Sequence, residues 1–382
     1  MEGGNPMDRG GRRNRRCQPS RRRREPSTLS GANVEATQQR VPVCLSCLCF
    51  GAAAREGDPS RSYSRGFQCS VPQLTQMDNS ASLTVGDDMR NQQVKALTIS
   101  RWVFDLVRES RLTGHVRAKY EHACNLVISE QEIIALVSPA IGNGPLNIVI
   151  EDNAAFEHVT PGLSAVFRDG QLILGDALVV LLDGARLWNA EVNWERLTAH
   201  KGRLGNSLAV LCDWLLNLDA EKQSEEGNGI RPLQSQAFLT TAWARIRGLL
   251  QALQHGDRPG IRENVAHLAG LGPGLTPAGD DYLVGLMAGL RAWPTMLEDS
   301  GLSPGEACQI MFEATKGKTT LLSNAFLRSA KDGLFGESWH ELLAALAGGE
   351  APQIQRAARH ILSSGATSGA DALVGFLSPY LI

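Results

Sequence analysis

The chain has 382 residues, of which 43% are apolar and only 5% aromatic, and a formal net charge of −2. That is enough apolar surface for a packed core, and no run of about 18 apolar residues exists to cross a membrane as a helix. The charge is split: residues 1–76 carry 13 Arg, no Lys and 6 acidic residues, while the remainder carries 25 basic and 34 acidic residues, so the part with folding character offers no global field for nucleic acid.

Residues 1–90 read as a disordered basic tail, with nine arginines between Arg9 and Arg24 in Gly-, Ser- and Pro-rich surroundings. Cys44-x-x-Cys47-x-Cys49 lies in a short apolar patch, but a zinc site needs a fourth ligand and no histidine precedes His115. The composition also suits an organellar transit peptide or a weak nucleic-acid contact. Met77 or Met89 offers a downstream start that would leave the tail untranslated. Beyond the tail only Cys124, Cys212 and Cys308 remain, widely spaced, which suits a reducing compartment and a cytoplasmic protein.

An amphipathic helix is expected over Gln93–Arg111, carrying Trp102, Val103, Leu106 and Val107 on one face. Strand signals follow. They run at Cys124–Ile128, Ile133–Val137, Leu146–Ile150, Ala165–Phe167, Gln171–Leu174, Ala177–Leu182 and Ala185–Trp188. Turn signatures separate them: Ser129–Glu132, Gly142-Asn143-Gly144-Pro145, Arg168-Asp169-Gly170 and Asp183-Gly184. Beyond Asn193 the pattern is helical: Trp194–Leu218, Ala237–Leu253, Arg262–Leu268, Pro304–Ala314, Thr320–Ala330, Trp339–Leu346, Gln353–Leu362 and Asp371–Leu381, with a polar linker over Glu221–Arg231. The fold expected is α+β: an antiparallel β-rich domain over 91–192, a small barrel or sheet, then a mostly helical domain over 193–382.

The most distinctive stretch is Leu268–Leu290, LAGLGPGLTPAGDDYLVGLMAGL. Gly270, Gly272, Gly274 and Gly279 with Pro273 and Pro277 break regular structure, and from Asp280 an apolar helix with small residues begins. Its free N–H groups make an anion site, yet Asp280 and Asp281 would repel a bare phosphate and suit a divalent metal, a cation or a hydrogen-bond network. The plain alternative is a capped helix after a tight loop. The pattern returns near the end: GDDYLVG from Gly279 is echoed by GADALVG from Gly369, and Thr276 by Thr367. Two such loops, each opening an apolar helix, predict that they face one another across a shared polar cavity.

Other candidates are weaker. Lys316-Gly-Lys-Thr-Thr resembles the end of a phosphate-binding P-loop, but Phe312 stands where its first glycine belongs. Lys318, Thr319, Thr320 and Ser323 still place a cation and three hydroxyls at a helix start. The histidines form no HxxxH or HxH pair, and no GxSxG elbow exists. Asn125 is polar where strand alternation predicts an apolar side chain, which suits a pocket residue or a satisfied sheet edge. The candidate binding set is therefore Gly272, Gly274, Thr276, Gly279, Asp280, Asp281, Lys318, Thr319, Thr320, Gly365, Thr367, Ser368, Gly369, Asp371 and Asn125, with no catalytic residue or metal ligand assigned.

Gly272-Pro-Gly-Leu-Thr-Pro-Ala-Gly-Asp-Asp-Tyr-Leu-Val-Gly, Lys318-Thr-Thr-Leu-Leu-Ser and Gly365-Ala-Thr-Ser-Gly-Ala-Asp-Ala-Leu-Val-Gly carry a resemblance, with His122-Ala-Cys-Asn-Leu-Val and Leu136-Val-Ser-Pro-Ala-Ile-Gly-Asn-Gly-Pro upstream. Together they resemble a bacterial family that includes the AllH subunit of oxamate carbamoyltransferase, from Val116 to the C-terminus. The resemblance implies serine where Ala278 stands, so no hydroxyl is expected to act at that position here. The resemblance implies a subunit working with FdrA-like and AllG-like partners. The implied reaction is phosphorolysis of oxalurate to oxamate and carbamoyl phosphate, in allantoin breakdown. Phosphate or carbamoyl phosphate is then the implied ligand; no cofactor is assigned, and the Asp280–Asp281 pair leaves a divalent metal open.

Overall fold

The computed structural model describes residues 92–108, 112–128, 132–199, 201–222 and 236–381. The basic tail, most of the polar linker and the Ser129–Glu132 turn apart from Glu132 lie outside the described residues.

Among the described residues nine strands come first: β1 Gln92–Ser100, β2 Leu112–Lys119, β3 Ala123–Val127, β4 Ile133–Val137, β5 Asn147–Ile150, β6 Ser164–Arg168, β7 Gln171–Leu174, β8 Leu178–Leu181 and β9 Arg186–Trp188, with helix α1 at Arg101–Arg108. Their order is β5-β4-β3-β2-β6-β7-β8-β1, and a β1–β5 pairing closes the ring into an eight-stranded barrel. Most pairings are antiparallel, but β4–β5, β1–β8 and β1–β9 are parallel. The interior is filled by alternate strand residues such as Leu126, Leu136, Ile148, Phe167 and Leu172. At the β6–β7 hairpin Asp169 (φ 50°) and Gly170 (φ 69°) are both left-handed, the geometry that matches strand twist in a two-residue turn.

β1 corrects the expected helix over Gln93–Arg111. Val94 and Ala96 point inward while Lys95 and Leu97 point outward, a two-residue period. Helix begins only at Arg101, where the Ser100 hydroxyl accepts a hydrogen bond from the Val103 N–H (3.1 Å). Trp102, Val103, Leu106 and Val107 suggested a helix correctly, but the segment before them is the strand that shuts the barrel. Its first half runs beside β8 and its second beside β5, across an irregularity between Ala96 and Thr98.

Among the described residues ten α-helices follow: α2 Trp194–Thr198, α3 Lys201–Lys222, α4 Gln236–Gln254, α5 Arg258–Leu268, α6 Ala278–Ala292, α7 Pro304–Thr315, α8 Leu321–Lys331, α9 Glu337–Gly348, α10 Ala351–Leu362 and α11 Ser368–Leu377. The expected single helix from Trp194 is divided into α2 and α3. α5 starts four residues earlier than its apolar pattern suggests, because Asp257 caps it and a proline is tolerated in the first turn. α6 and α11 form the centre of the helical core.

α8 fastens the helices to the barrel. Leu321, Leu322, Ala325 and Phe326 pack on Ile133 of β4 and on Leu146. Arg328 holds Glu132 through two hydrogen bonds (2.8 and 2.6 Å) and lies over the Trp102 ring. Further on, Glu337 accepts hydrogen bonds from the backbone and side chain of Asn143 (2.9 and 2.8 Å). Among the described residues no helix is long and apolar enough to cross a membrane.

Candidate functional site

α6 and α11 touch backbone to backbone. A Cβ on Gly285 would overlap the carbonyl oxygen of Ala372, and one on Gly375 would overlap that of Tyr282. Gly289 meets the Phe376 carbonyl in the same way. Only glycine permits such approach. Gly285 corresponds to Gly375 in the sequence echo, and Tyr282 to Ala372. Each copy's glycine therefore meets the other copy's carbonyl three residues before its own glycine, a reciprocal contact of two-fold type. Gly279 and Gly369 are also equivalent: each seats the start of its helix on the last turn of the helix before it, against the carbonyls of Leu268 and Ile361. The duplicated unit is thus helix–loop–helix, α5–α6 and α10–α11.

This crossing brings the two loops into direct contact, where the sequence echo predicted that they face one another across a polar cavity. The hydroxyls of Thr276 and Ser368 are hydrogen-bonded at 2.9 Å. Neither α6 (preceded by Pro277) nor α11 (preceded by Thr367) has a side-chain cap, although backbone carbonyls take some of their first N–H groups: Gly279 donates to Leu271 (2.9 Å), Asp280 to Pro277 (2.9 Å) and Gly369 to Ser364 (3.1 Å). A third helix start joins them. Thr320 caps α8 by accepting from the Ser323 N–H (3.1 Å) and donates to the Leu275 carbonyl (2.6 Å). Gly270, left-handed at φ 73°, backs onto the Lys318 carbonyl. Gly272, Gly274 and Gly365 are left-handed too, and nothing lies where a Cβ of Gly274 would be. Lys318 is exposed on this rim.

The carboxylates divide their roles. Asp280 is buried; it accepts from the Gly270 N–H (2.9 Å) and from the Thr319 hydroxyl, tying the first glycine loop to the 317–320 loop. Burial pushes its pKa up, against the pull of those donors and of Ser323. Asp281, half-buried, turns toward the seam. Burial first, then the charges of Asp371 and Asp280, push it up to about 7, while the Ser368 and Thr276 hydroxyls pull it down. One of its oxygens is buried without a hydrogen bond. Asp371 is the buried equivalent of Asp281 in the second copy. Asp280 has no equivalent, since Ala370 occupies its place.

Of the predicted residues, all but Asn125 fall in or beside these three loops. Gly279 and Gly369 are consumed by packing and present nothing to a ligand. Asn125 lies buried on β3, paired in register with Ala118 and Ala135, and among the described residues no hydrogen bond joins it to the loops. Ser323, which bonds the Leu275 carbonyl weakly at 3.5 Å, belongs with the set. Among the described residues no group of three or more His, Cys, Asp or Glu could hold a metal ion. Two clefts lie elsewhere, one of about 710 Å³ at Phe104, Arg168 and Asp183 and one of about 540 Å³ beside α2 and α9. Neither includes a loop residue. The loops remain the candidate, because there buried polar groups from three elements converge.

Two family models match the chain. The model described as oxamate carbamoyltransferase subunit AllH covers residues 268–379, which contain all three loops, and the AllH family N-terminal domain covers residues 95–187, which hold the barrel. No solved structure matches it.

Proposed function

The chain belongs to the AllH family and is a subunit of oxamate carbamoyltransferase; from that premise we propose that its paired loops bind the small anionic reactants of oxalurate phosphorolysis. In that reaction a phosphate oxygen attacks the ureido carbonyl carbon. The bond from that carbon to the oxamate nitrogen breaks, the nitrogen takes up the proton, and carbamoyl phosphate and oxamate leave. The observation that carries the reading is the Thr276–Ser368 hydrogen bond, which puts two uncapped helix starts side by side. The hydroxyls of Thr276, Thr367 and Ser368 position the anion, and Lys318 balances its charge; the Thr319 hydroxyl, already given to Asp280, holds the loop in place. Asp281 accepts from the carbamoyl amide or, protonated, donates to a carbonyl. FdrA-like and AllG-like subunits complete the enzyme.

A second reading is that of a non-catalytic subunit docking a larger FdrA-like enzyme. It is favoured by the glycines at 279, 285, 289, 369 and 375, all used up by packing. Titration calorimetry with phosphate, oxamate and carbamoyl phosphate, on the chain alone and on the assembled complex, tests the first reading, which predicts binding that weakens in Asp281→Ala. Co-purification of Asp281→Ala with its partners decides between the two. Retained assembly with lost activity supports the loop site, and full activity of the variant supports docking alone.

A further inference from the structure

The cleft of about 540 Å³ beside α2, the start of α3 and α9 has a character of its own. Its floor is apolar: Leu197 and Leu343 are buried there, with Ala344 beside them. Its rim is basic, formed by Arg196, Arg203 and His340, and no acidic residue lines it. On a chain whose residues beyond 76 carry 34 acidic against 25 basic groups, that is a local reversal of sign. Neither guanidinium has a carboxylate within ion-pair distance among the described residues.

The rim is held in place. Arg196 lies on a helix capped by Asn193, whose side chain accepts from the Arg196 N–H (2.9 Å). The stem of Arg203 crosses the end of α9, where a Cβ on Gly349 would touch its Cδ and Cγ at 3.5 Å. Gly349 is left-handed there (φ 83°), the conformation that ends the helix and makes room for that stem. His340 donates from Nε2 to the Ala190 carbonyl (3.2 Å), and its ring lies 5.3 Å from that of Trp188. Two desolvated leucines beneath two unmatched guanidinium groups make an amphipathic receptacle, of a volume usual for small-molecule sites.

We infer that this cleft binds a small organic oxyanion: a carboxylate or phosphate head gripped by Arg196 and Arg203, with an aliphatic or aromatic body laid on Leu197, Leu343 and Ala344. It shares no residue with the loops, so its occupant is a ligand additional to the reactants proposed there. A carboxylate and a phosphate ester offer the same hydrogen-bonding edge to a guanidinium, and the probes separate them.

Calorimetric titration of the full chain with hexanoate, hexyl phosphate, inorganic phosphate and hexylamine tests the inference. One hexyl anion should bind per chain, more tightly than inorganic phosphate, and hexylamine should not bind. The Arg196→Ala/Arg203→Ala double variant should weaken the preferred hexyl anion at least about tenfold, as expected for lost charge-assisted hydrogen bonds. Leu343→Ser should weaken the hexyl anions but not inorganic phosphate. Thr276→Val, a change in the loops, should leave binding of the hexyl anions unaltered while weakening the reactants, inorganic phosphate among them. No saturable binding of either hexyl anion up to about 10 mM, a range that covers weak sites, overturns the inference. So does binding that survives in the double arginine variant or that is lost in Thr276→Val.

Discussion

Replacing Gly285 with alanine tests the helix crossing on which the site depends. The added methyl would sit 2.6 Å from the carbonyl carbon of Ala372 and 2.8 Å from its Cα, and would overlap the carbonyl oxygen. Ordinary contact begins near 3.4 Å, so α6 and α11 must separate by on the order of 1 Å along a fully buried seam. Overpacking of this kind costs about 1–3 kcal/mol, and alanine's better helix propensity returns at most about 1 kcal/mol. Because the obstruction is main chain, which no rotamer change relieves, the upper part of the range applies, and a net loss of about 2 kcal/mol is expected. Gly375→Ala meets Tyr282 from the other copy and should cost the same. Once either methyl has parted the helices, the second finds space, so the double variant should fall short of the sum by about 1 kcal/mol. Gly305→Ala, early in α7 with open space around it, is the control and should be neutral or slightly stabilising. Urea unfolding followed by circular dichroism measures all four. A Gly285→Ala protein as stable as the parent, or strictly additive losses, would refute the reciprocal crossing.

Asp281 makes stability depend on pH. Its folded pKa of about 7 stands above its ordinary 3.8, so the folded chain keeps a proton that the unfolded chain releases in between. Stability should therefore fall as pH rises from about 4 to about 7 and level off above; after discounting for partial exposure the fall is about 1–3 kcal/mol, and it should be largely absent in Asp281→Asn. Asp280→Ala leaves the Gly270 N–H and the Thr319 hydroxyl without their shared acceptor; a loss of about 2 kcal/mol with faster proteolysis of the 269–277 loop is expected. Arg328→Ala removes two charge-assisted hydrogen bonds to Glu132, and since the pair is only partly exposed the loss should be about 1–2 kcal/mol and shrink in high salt. Cys124, Cys212 and Cys308 are buried, with their pKa values pushed up to about 12, 12 and 11 by burial, so the native protein should show no fast reaction at these three thiols with a thiol reagent.

Much of this arrangement could be read from the residues. Asp169-Gly170 announces its hairpin because few other pairs accept two left-handed conformations in succession. The echo of GDDYLVG in GADALVG carries the meeting of the loops, because an interface between like units tends to repeat its small residues. β1 was illegible for a definite reason: its apolar residues merge with those of α1, and what separates them is the Ser100 cap, a feature of geometry rather than of pattern. The division of labour between Asp280 and Asp281 was hidden as well. Consecutive helical residues point about 100° apart, so one reaches back to Gly270 and Thr319 and the other toward α11, but nothing in the pair of letters says which. Asn125 broke strand alternation in a way that resembles a pocket residue. A barrel stave buried on both faces does not keep strict alternation, and that weakens the cue.

The seam between the helices offers a protein engineer little to rewrite where Gly285, Gly289 and Gly375 lie against carbonyls. The bend at Gly272-Pro273-Gly274-Leu275 is different: it stands clear of neighbours at its apex, while its carbonyl at Leu275 is pinned by Thr320. Pro273 and Leu275, both exposed, would carry new side chains on the outer face of the loop without touching the helix seam. Altered ligand preference in this subunit should therefore be sought first in libraries built on Pro273 and Leu275, with the left-handed Gly272 and Gly274 kept in place.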